Sequence, residues 1–210
     1  MTGTKATWLE GWARARGRAY LRFDYTGHGQ SSGRFMDGCI GDWARDAADA
    51  LGQLTEGPQV LVGSSMGGWI ALLLAKRHPE RLAGLVGIAA APDFTEDLVW
   101  QDLTEEERDR IVTEGNISVP SDYGEPMVLT HRLFADGREN MVLRSPLPVP
   151  CPVRLLQGTA DLDVPVATAI RLIEHIDCAD ARLVLVKGAD HRFSGEAELA
   201  LLGETLDAIA

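Results

Sequence analysis

A serine stands among small residues in Gly63-Ser64-Ser65-Met66-Gly67, where a short apolar stretch ends and a helical apolar pattern begins. The pattern G-x-S-x-G at a strand-to-helix junction is typical of a serine exposed in a tight, strained turn at the top of a sheet. The first amides of the following helix, at the positive end of its dipole, point toward the group that reacts at this turn. A glycine-rich turn that only packs a helix against a strand is the alternative. A phosphate-binding loop is disfavoured because its Lys-Ser/Thr ending is absent. The junction favours a nucleophilic Ser65.

A serine hydroxyl needs a base that takes its proton, and the chain has five histidines. His191 lies in "GADHRF", directly after the strand-like "ARLVLVKG", which predicts a loop at the same edge as Ser65. The acid that orients it would follow the preceding strand, where "LLQGTADLDVP" supplies both Asp161 and Asp163. The chain order Ser, Asp, His is the order that this kind of fold uses. Asp190 is expected to be a solvated loop residue. Surface or packing roles are expected for the other histidines: His28, His78, His131 and His175.

The candidate nucleophile Ser65, the two candidate acids and the candidate base His191 are positioned by helices and strands that alternate along the chain. Helices are predicted at 4–16, 40–54, 67–77, 166–176 and from about 196. Strands are predicted at 18–25, 59–63, 82–90, 153–158 and 181–188. Continuously apolar strands that alternate with helices indicate an α/β fold, with a mostly parallel sheet and helices on both faces. Right-handed crossovers then place the carboxyl ends of the strands along one edge, where such folds keep their sites.

Residues 93–150 interrupt this alternation. Thr104 and Glu107 form a capping-box pattern, which predicts a short acidic helix. The rest is expected to be irregular around Pro120, Gly124 and Pro126. An insertion at the carboxyl edge of a strand lies over the site, so we interpret it as a lid. The alternative is a surface insertion without a functional role. The predicted organisation is a core of 1–92 and 151–210 with the lid at 93–150.

Composition excludes several classes of protein. The formal net charge of −11 argues against a nucleic-acid surface, which needs a basic face. No apolar run approaches the roughly 18 residues of a membrane span, and the first residues show no signal-peptide pattern. Cys39, Cys151 and Cys178 are too few and too scattered for a disulfide framework or a zinc site. A soluble, cytoplasmic protein of a reducing compartment, with no metal and no cofactor, is expected.

Several segments together resemble the α/β-hydrolases: "RFDYTGHGQSSG", "VGSSMGGW", "RLLQGTADLDVP" and "GADHRF". Nearly end to end, the chain is similar to the palmitoyl-protein thioesterases of that family that are also described as acyl-glucuronide esterases, and "SPLPVPCPVRLLQG" is the more specific segment. The resemblance implies an α/β-hydrolase fold with Ser65 as nucleophile, Asp161 as acid and His191 as base. It makes the Met66 backbone amide one donor of the oxyanion hole. Asp163 stays an alternative acid.

The resemblance also implies that the N-terminal strands of the family are missing. They include its third strand, which lies between those matching "AYLRFDY" and "QVLVG", and the loop that supplies the second oxyanion amide. Losing one oxyanion donor costs about 3–4 kcal/mol of transition-state stabilisation. Either Met1 is an internal start in a longer chain or neighbouring residues substitute, and the first is favoured.

The expected function is that of a serine hydrolase that cleaves carboxylic thioesters or esters through an acyl-enzyme, in the manner of a palmitoyl-protein thioesterase. The expected substrate is a small molecule or an acylated protein. The alternatives are a general carboxylesterase or acyl-glucuronide esterase, and a non-catalytic domain without a complete oxyanion hole. Apolar lid residues either line an acyl pocket or form the core of the lid: Val99, Trp100, Met127, Leu129, Leu133, Phe134 and Met141.

Overall fold

The computed structural model describes residues 1–120 and 126–209, so Gly124 of the predicted irregular stretch lies outside the described residues. The helices are α1 (Thr4–Ala15), α2 (Ile40–Leu54), α3 (Met66–Arg77), α4 (Trp100–Asp102, continuing a π-helical turn at Thr95–Val99), α5 (Glu105–Glu114), α6 (His131–Glu139), α7 (Val166–His175) and α8 (Glu196–Asp207). The strands are β1 (Gln59–Ser64), β2 (Leu82–Ile88), β3 (Asn116–Val119), β4 (Met127–Thr130), β5 (Leu147–Pro148), β6 (Val153–Gly158), β7 (Ile176–Asp177) and β8 (Ala181–Val186).

The main sheet of the described residues is entirely parallel and has the strand order β1-β2-β6-β8. Its register aligns one residue from each strand in a row: Ser64, Ile88, Leu156 and Val184. Since the four strands run in the same direction, the loops that follow them leave from the same edge. Ser65, Asp161 and His191 all lie in such loops or turns. The parallel sheet predicted from the sequence is confirmed.

Helices cover both faces of this sheet. Neighbouring strand residues point to opposite faces, so Leu85 belongs to the larger apolar cluster with α2, α3 and α7, whereas Val86 packs in the smaller cluster with α1 and α8. Leu155 and Leu156 of β6 divide in the same way. The central strands β2 and β6 are buried on both faces and therefore read as nearly continuous apolar runs.

The segment 93–150 shares its core with the rest of the molecule. Its residues Leu129 and Phe134 are 1 % exposed and belong to the same apolar cluster as Trp69 of α3. The Trp69 indole also donates to the carbonyl of Asn140 at 3.0 Å. The capping box of α5 is confirmed, since Thr104 Oγ1 accepts from the Glu107 amide and the Glu107 carboxylate accepts from the Thr104 amide. The division into core and lid stays a prediction.

Of the other apolar lid residues, Leu133 is buried in the same cluster, and Val99 and Trp100 pack against it. These side chains therefore contribute to the core of the fold. Met127 is 37 % exposed.

The predicted strand at 18–25 is wrong, because these residues carry no regular secondary structure. A β-strand forms through hydrogen bonds to a neighbouring strand. Among the described residues, β1 is an edge strand of the sheet and pairs with β2 alone, so it makes no ladder with residues 18–25. A cavity of about 720 Å³ separates residues 18–25 from β1. Apolar side chains from both segments line it: Tyr20, Leu21, Phe23, Val60, Leu61 and Val62. The resemblance predicts the third strand of the family at the position of this cavity.

A membrane span needs a long apolar helix, and none of the helices in the described part of the chain meets that requirement.

Candidate active site

Ser65 joins β1 to α3 with φ 53° and ψ −122°. A positive φ is strained for a residue that carries a Cβ and costs about 1–3 kcal/mol. Three backbone hydrogen bonds hold the turn: the Ser65 amide donates to Ile88 at 2.9 Å, and the Ser65 carbonyl accepts from Gly68 at 2.8 Å and from Ala91 at 3.1 Å. The strained turn predicted at this junction is therefore present, and Ser65 lies at the carboxyl end of β1.

The glycines around the turn permit close approach of the backbone. A Cβ on Gly63 would lie 2.2 Å from the carbonyl oxygen of Gly67, and a Cβ on Gly68 would lie 2.6 Å from Cβ of Ala90. Both distances are far shorter than any contact between these atoms. At Gly67, by contrast, the nearest atom to an added Cβ is the Tyr25 hydroxyl at 4.0 Å. The first turn of α3 thus packs directly on the ends of β1 and β2.

Met66 is the first residue of α3, with Ser65 at its N-cap. The first amides of an α-helix have no partner within the helix, and they lie at the positive end of its dipole. The Met66 amide is therefore oriented to donate to an oxyanion formed next to Ser65. That the loop supplying the second donor is not part of this sequence stays a prediction from the resemblance.

Asp161 and His191 are brought together as a hydrogen-bonded pair. His191 Nδ1 lies 2.9 Å from Asp161 Oδ2 and 3.1 Å from Oδ1. The Asp161 side chain is fully buried and that of His191 is 16 % exposed. Asp161 Oδ1 also accepts from the amides of Asp163 at 2.9 Å and Val164 at 2.8 Å. A carboxylate held in this way fixes the orientation and tautomer of the imidazole and leaves Nε2 available to a second group.

The two loops that carry this pair are joined directly. The Ala160 amide donates to the carbonyl of Ala189 at 3.0 Å, and the Gly188 amide donates to Thr159 Oγ1 at 2.9 Å. These bonds connect the turn after β6 to the turn after β8. Their geometry explains why residues 30 positions apart in the chain meet at the sheet edge.

Within residues 1–120 and 126–209, no hydrogen bond joins Ser65 to His191. Catalytic hydrogen bonds are often long in a free enzyme and shorten when substrate binds. The structure therefore places the predicted base beside the predicted acid, and places the predicted nucleophile at the same sheet edge.

The alternative acid, Asp163, is exposed, and its backbone amide donates to Asp161. Asp190 is exposed as expected, and its carboxylate accepts from the Phe193 amide at 3.1 Å. His175 Nε2 lies 2.8 Å from the carbonyl of Ser145, which is a packing role. The geometry thus favours Asp161 over Asp163 as the partner of His191.

Two further ionisable groups lie near the site. Burial lowers the pKa of Lys5, whose ammonium group donates to the carbonyl of Arg192 next to His191. Burial raises the pKa of Tyr25 to about 12, so its hydroxyl stays protonated beside the start of α3. The Lys5 ammonium group therefore lies beside the loop of His191, and the Tyr25 hydroxyl lies beside the turn of Ser65.

A metal site at this edge would use Asp161, Asp163 and His191, whose ligand atoms lie within 4.8 Å of one another. Both oxygens of Asp161 already accept hydrogen bonds, and His191 Nδ1 is directed at them. The arrangement is that of an acid–base pair rather than an open set of metal ligands.

Sequence reasoning missed Gln157, which lies in β6 and contacts Asp161. Its side chain is buried, and its Nε2 donates to Asp161 Oδ2 at 2.9 Å. The available signal was an amide side chain in the apolar strand "VRLLQG", four residues before the predicted acid.

Comparisons with known proteins agree with this fold. A family model described as "Alpha/beta hydrolase family" matches residues 2–200. The chain is 38 % identical over 211 residues to "Palmitoyl-protein thioesterase ABHD10, mitochondrial" of Bos taurus, which covers 99 % of this chain and 68 % of the relative.

Two solved structures superpose closely. One is from Agrobacterium vitis S4, with a TM-score of 0.95 and 41 % identity over 100 % of this chain and 83 % of that chain. The other is alpha/beta hydrolase domain-containing protein 10 from mouse, with a TM-score of 0.91 and 36 % identity over 99 % of this chain and 84 % of that chain. The chain belongs to the α/β-hydrolase family.

Proposed function

We propose that this protein is a serine hydrolase that cleaves carboxylic thioesters or esters through an acyl-enzyme formed on Ser65. The observation that carries the proposal is the hydrogen-bonded pair of buried Asp161 and partly buried His191 at the same sheet edge as a strained serine turn. The strain matters because a residue is held in such a conformation only where the surrounding structure determines it.

In the proposed mechanism, Ser65 Oγ attacks the acyl carbon while His191 Nε2 accepts its proton. Asp161 keeps the Nδ1 proton of His191 in place and stabilises the imidazolium. The Met66 amide donates to the oxyanion. When the carbon–sulfur or carbon–oxygen bond breaks, His191 returns the proton to the leaving group. Water, activated by the same base, then releases the carboxylic acid and regenerates Ser65.

Two arguments narrow the proposed substrate, the first to esters and thioesters and the second to thioesters. A thiol needs less protonation than an amine to leave, so esters and thioesters suit this site better than peptides. The curated relative from Bos taurus described above carries the name palmitoyl-protein thioesterase. The proposed substrate is therefore a protein or small molecule with an S-linked acyl group.

The first test is labelling with a fluorophosphonate, followed by mass spectrometry of the modified peptide. The expected result is a single adduct on Ser65 that disappears in Ser65→Ala and falls at least about a hundredfold in rate in His191→Ala. Ser64→Ala is the matched control, because it changes the neighbouring hydroxyl and leaves the Ser65 turn intact.

A folded chain that takes no label would favour a non-catalytic domain. If Ser65 is labelled, hydrolysis of matched S-acyl and O-acyl substrates decides between the candidates. A higher kcat/KM for S-acyl substrates supports the thioesterase. A higher value for O-acyl substrates, including acyl glucuronides, would replace it with a carboxylesterase or acyl-glucuronide esterase.

A further inference from the structure

Gln157 is a buried amide whose orientation is determined by its neighbours. The side chain is 1 % exposed. Its Nε2 lies 2.9 Å from Asp161 Oδ2, 3.0 Å from the carbonyl oxygen of Val164 and 3.2 Å from that of Gly158. All three atoms are hydrogen-bond acceptors, so the nitrogen end of the amide must face them.

The other end of the same amide is unsatisfied. Gln157 Oε1 is buried and has no hydrogen-bond partner among the described residues. A buried carbonyl without a donor destabilises the folded state, and an apolar side chain of similar size would avoid that loss. What an apolar side chain cannot provide is the donor to Asp161 Oδ2, which suggests that the donor is the useful part of this residue.

The two oxygens of Asp161 are held by different parts of the chain. Oδ1 accepts from the backbone amides of Asp163 and Val164, which belong to the same loop as Asp161 itself. Oδ2 is the oxygen closer to His191 Nδ1, and its other donor is Gln157 from the rigid strand β6. Gln157 thereby connects the acid to the central sheet, and its bond to the Val164 carbonyl holds the far end of the same loop.

We infer that Gln157 is a positioning residue of the proposed triad: its amide fixes the plane of the Asp161 carboxylate so that Oδ2 accepts the Nδ1 proton of His191. The inference rests on the proposed function, because positioning matters for catalysis only if His191 acts as the base. Gln157 itself does not touch the reacting atoms.

The test compares Gln157→Met and Gln157→Leu with a matched control. Both substitutions remove the donor and the unsatisfied carbonyl, Met at nearly constant volume and Leu with a branched apolar side chain. Leu156→Met is the control, since Leu156 is the neighbouring buried residue of β6 and points to the opposite face. Each variant is measured for thermal unfolding, for kcat and KM on an S-acyl substrate, and for the far-downfield ¹H NMR signal of the His191 Nδ1 proton.

Both Gln157 variants are expected to fold, to lower kcat by about 10- to 100-fold with little change in KM, and to shift or broaden the downfield signal. Leu156→Met is expected to keep kcat and the signal. The inference is overturned if the signal is unchanged in the Gln157 variants, or if their kcat stays within about twofold of the control. It is also overturned if both variants unfold where the control is folded, because Gln157 would then hold the fold rather than the triad.

The NMR signal reports the hydrogen bond between His191 and Asp161 and needs no substrate turnover, so it decides the inference even for a chain that hydrolyses nothing. Failure of the proposed function is seen separately, as absence of fluorophosphonate labelling in the unmodified protein.

Discussion

Replacement of Asp161 by asparagine is expected to reverse the tautomer of His191. In the structure Asp161 Oδ1 accepts two backbone amides, from Asp163 and Val164, whereas Oδ2 faces His191 Nδ1. An asparagine that keeps the two amide bonds must turn its NH₂ group toward His191. The ring can then only accept at Nδ1, so its proton moves to Nε2, the atom that must take the proton of Ser65.

The opposite orientation of the asparagine would set its NH₂ group against two backbone amides and leave both without an acceptor. The favoured orientation instead sets the asparagine NH₂ group against Gln157 Nε2, which loses one acceptor. Each buried donor left unpaired costs about 1–3 kcal/mol, so with two losses against one the orientation with the wrong tautomer is favoured by about 1–3 kcal/mol. Loss of the correct tautomer in a serine triad lowers kcat by about 10⁴-fold with little structural change. We therefore expect Asp161→Asn to lower kcat by about 10³- to 10⁴-fold.

The assay is steady-state hydrolysis of an S-acyl substrate, with the rate of fluorophosphonate labelling as a second measure. Asp163→Asn is the matched control, because Asp163 is two residues away, exposed, and contributes its backbone amide rather than its carboxylate to Asp161. Its kcat should stay within about threefold of the unmodified protein. A larger loss in Asp163→Asn than in Asp161→Asn would refute the assignment of the acid.

Three further outcomes are expected. Phe134→Ala should lower the free energy of unfolding by about 3–5 kcal/mol in one cooperative transition by chemical denaturation, since its ring is buried in the main core; a separate transition for residues 93–150 would contradict this. Gly63→Ala should reduce both stability and labelling of Ser65, whereas Gly67→Ala, with its nearest contact at 4.0 Å, should be tolerated; equal losses in the two variants would contradict the packing argument. The hydrogen bond from Arg154 lowers the pKa of Asp180. The ion pair therefore stabilises the fold at pH values above the ordinary pKa of an aspartate, and this stabilisation is lost as the pH falls through the lowered pKa of Asp180. The difference in stability between Arg154→Met and the unmodified protein should therefore shrink in acid, as urea unfolding at several pH values can measure.

The parts of the fold that follow from local sequence were predictable. β1 and α3 are recognised because an apolar run, a cluster of glycines and a helical pattern follow one another within 20 residues. The predicted bounds of α2, β6 and α7 agree with the structure to within one residue. That an aspartate after β6 lies near His191 was predictable, because parallel strands bring their following loops to one edge. The choice of Asp161 over Asp163 came from the resemblance to the α/β-hydrolases.

The remaining features depend on contacts that a single sequence does not display. Residues 18–25 have the composition of a strand, yet a strand needs a neighbour, and β1 lies across a cavity. Helix α6 was missed because Gly137 interrupts its pattern; a Cβ there would lie 2.4 Å from Thr95 Oγ1. Its N-cap was a usable signal, since Thr130 Oγ1 accepts from the Leu133 amide at 3.1 Å.

The open edge of β1 also bears on how the chain behaves in solution. Within the described residues, the outer side of β1 faces a cavity lined by apolar side chains rather than another strand. An unpaired edge is a template for any segment that can adopt a β conformation, including one from a second copy of the chain. Its amide hydrogens should exchange with solvent sooner than those of β2, which is paired on both sides. The proposed nucleophile therefore directly follows a strand that, among the described residues, is paired on one side only.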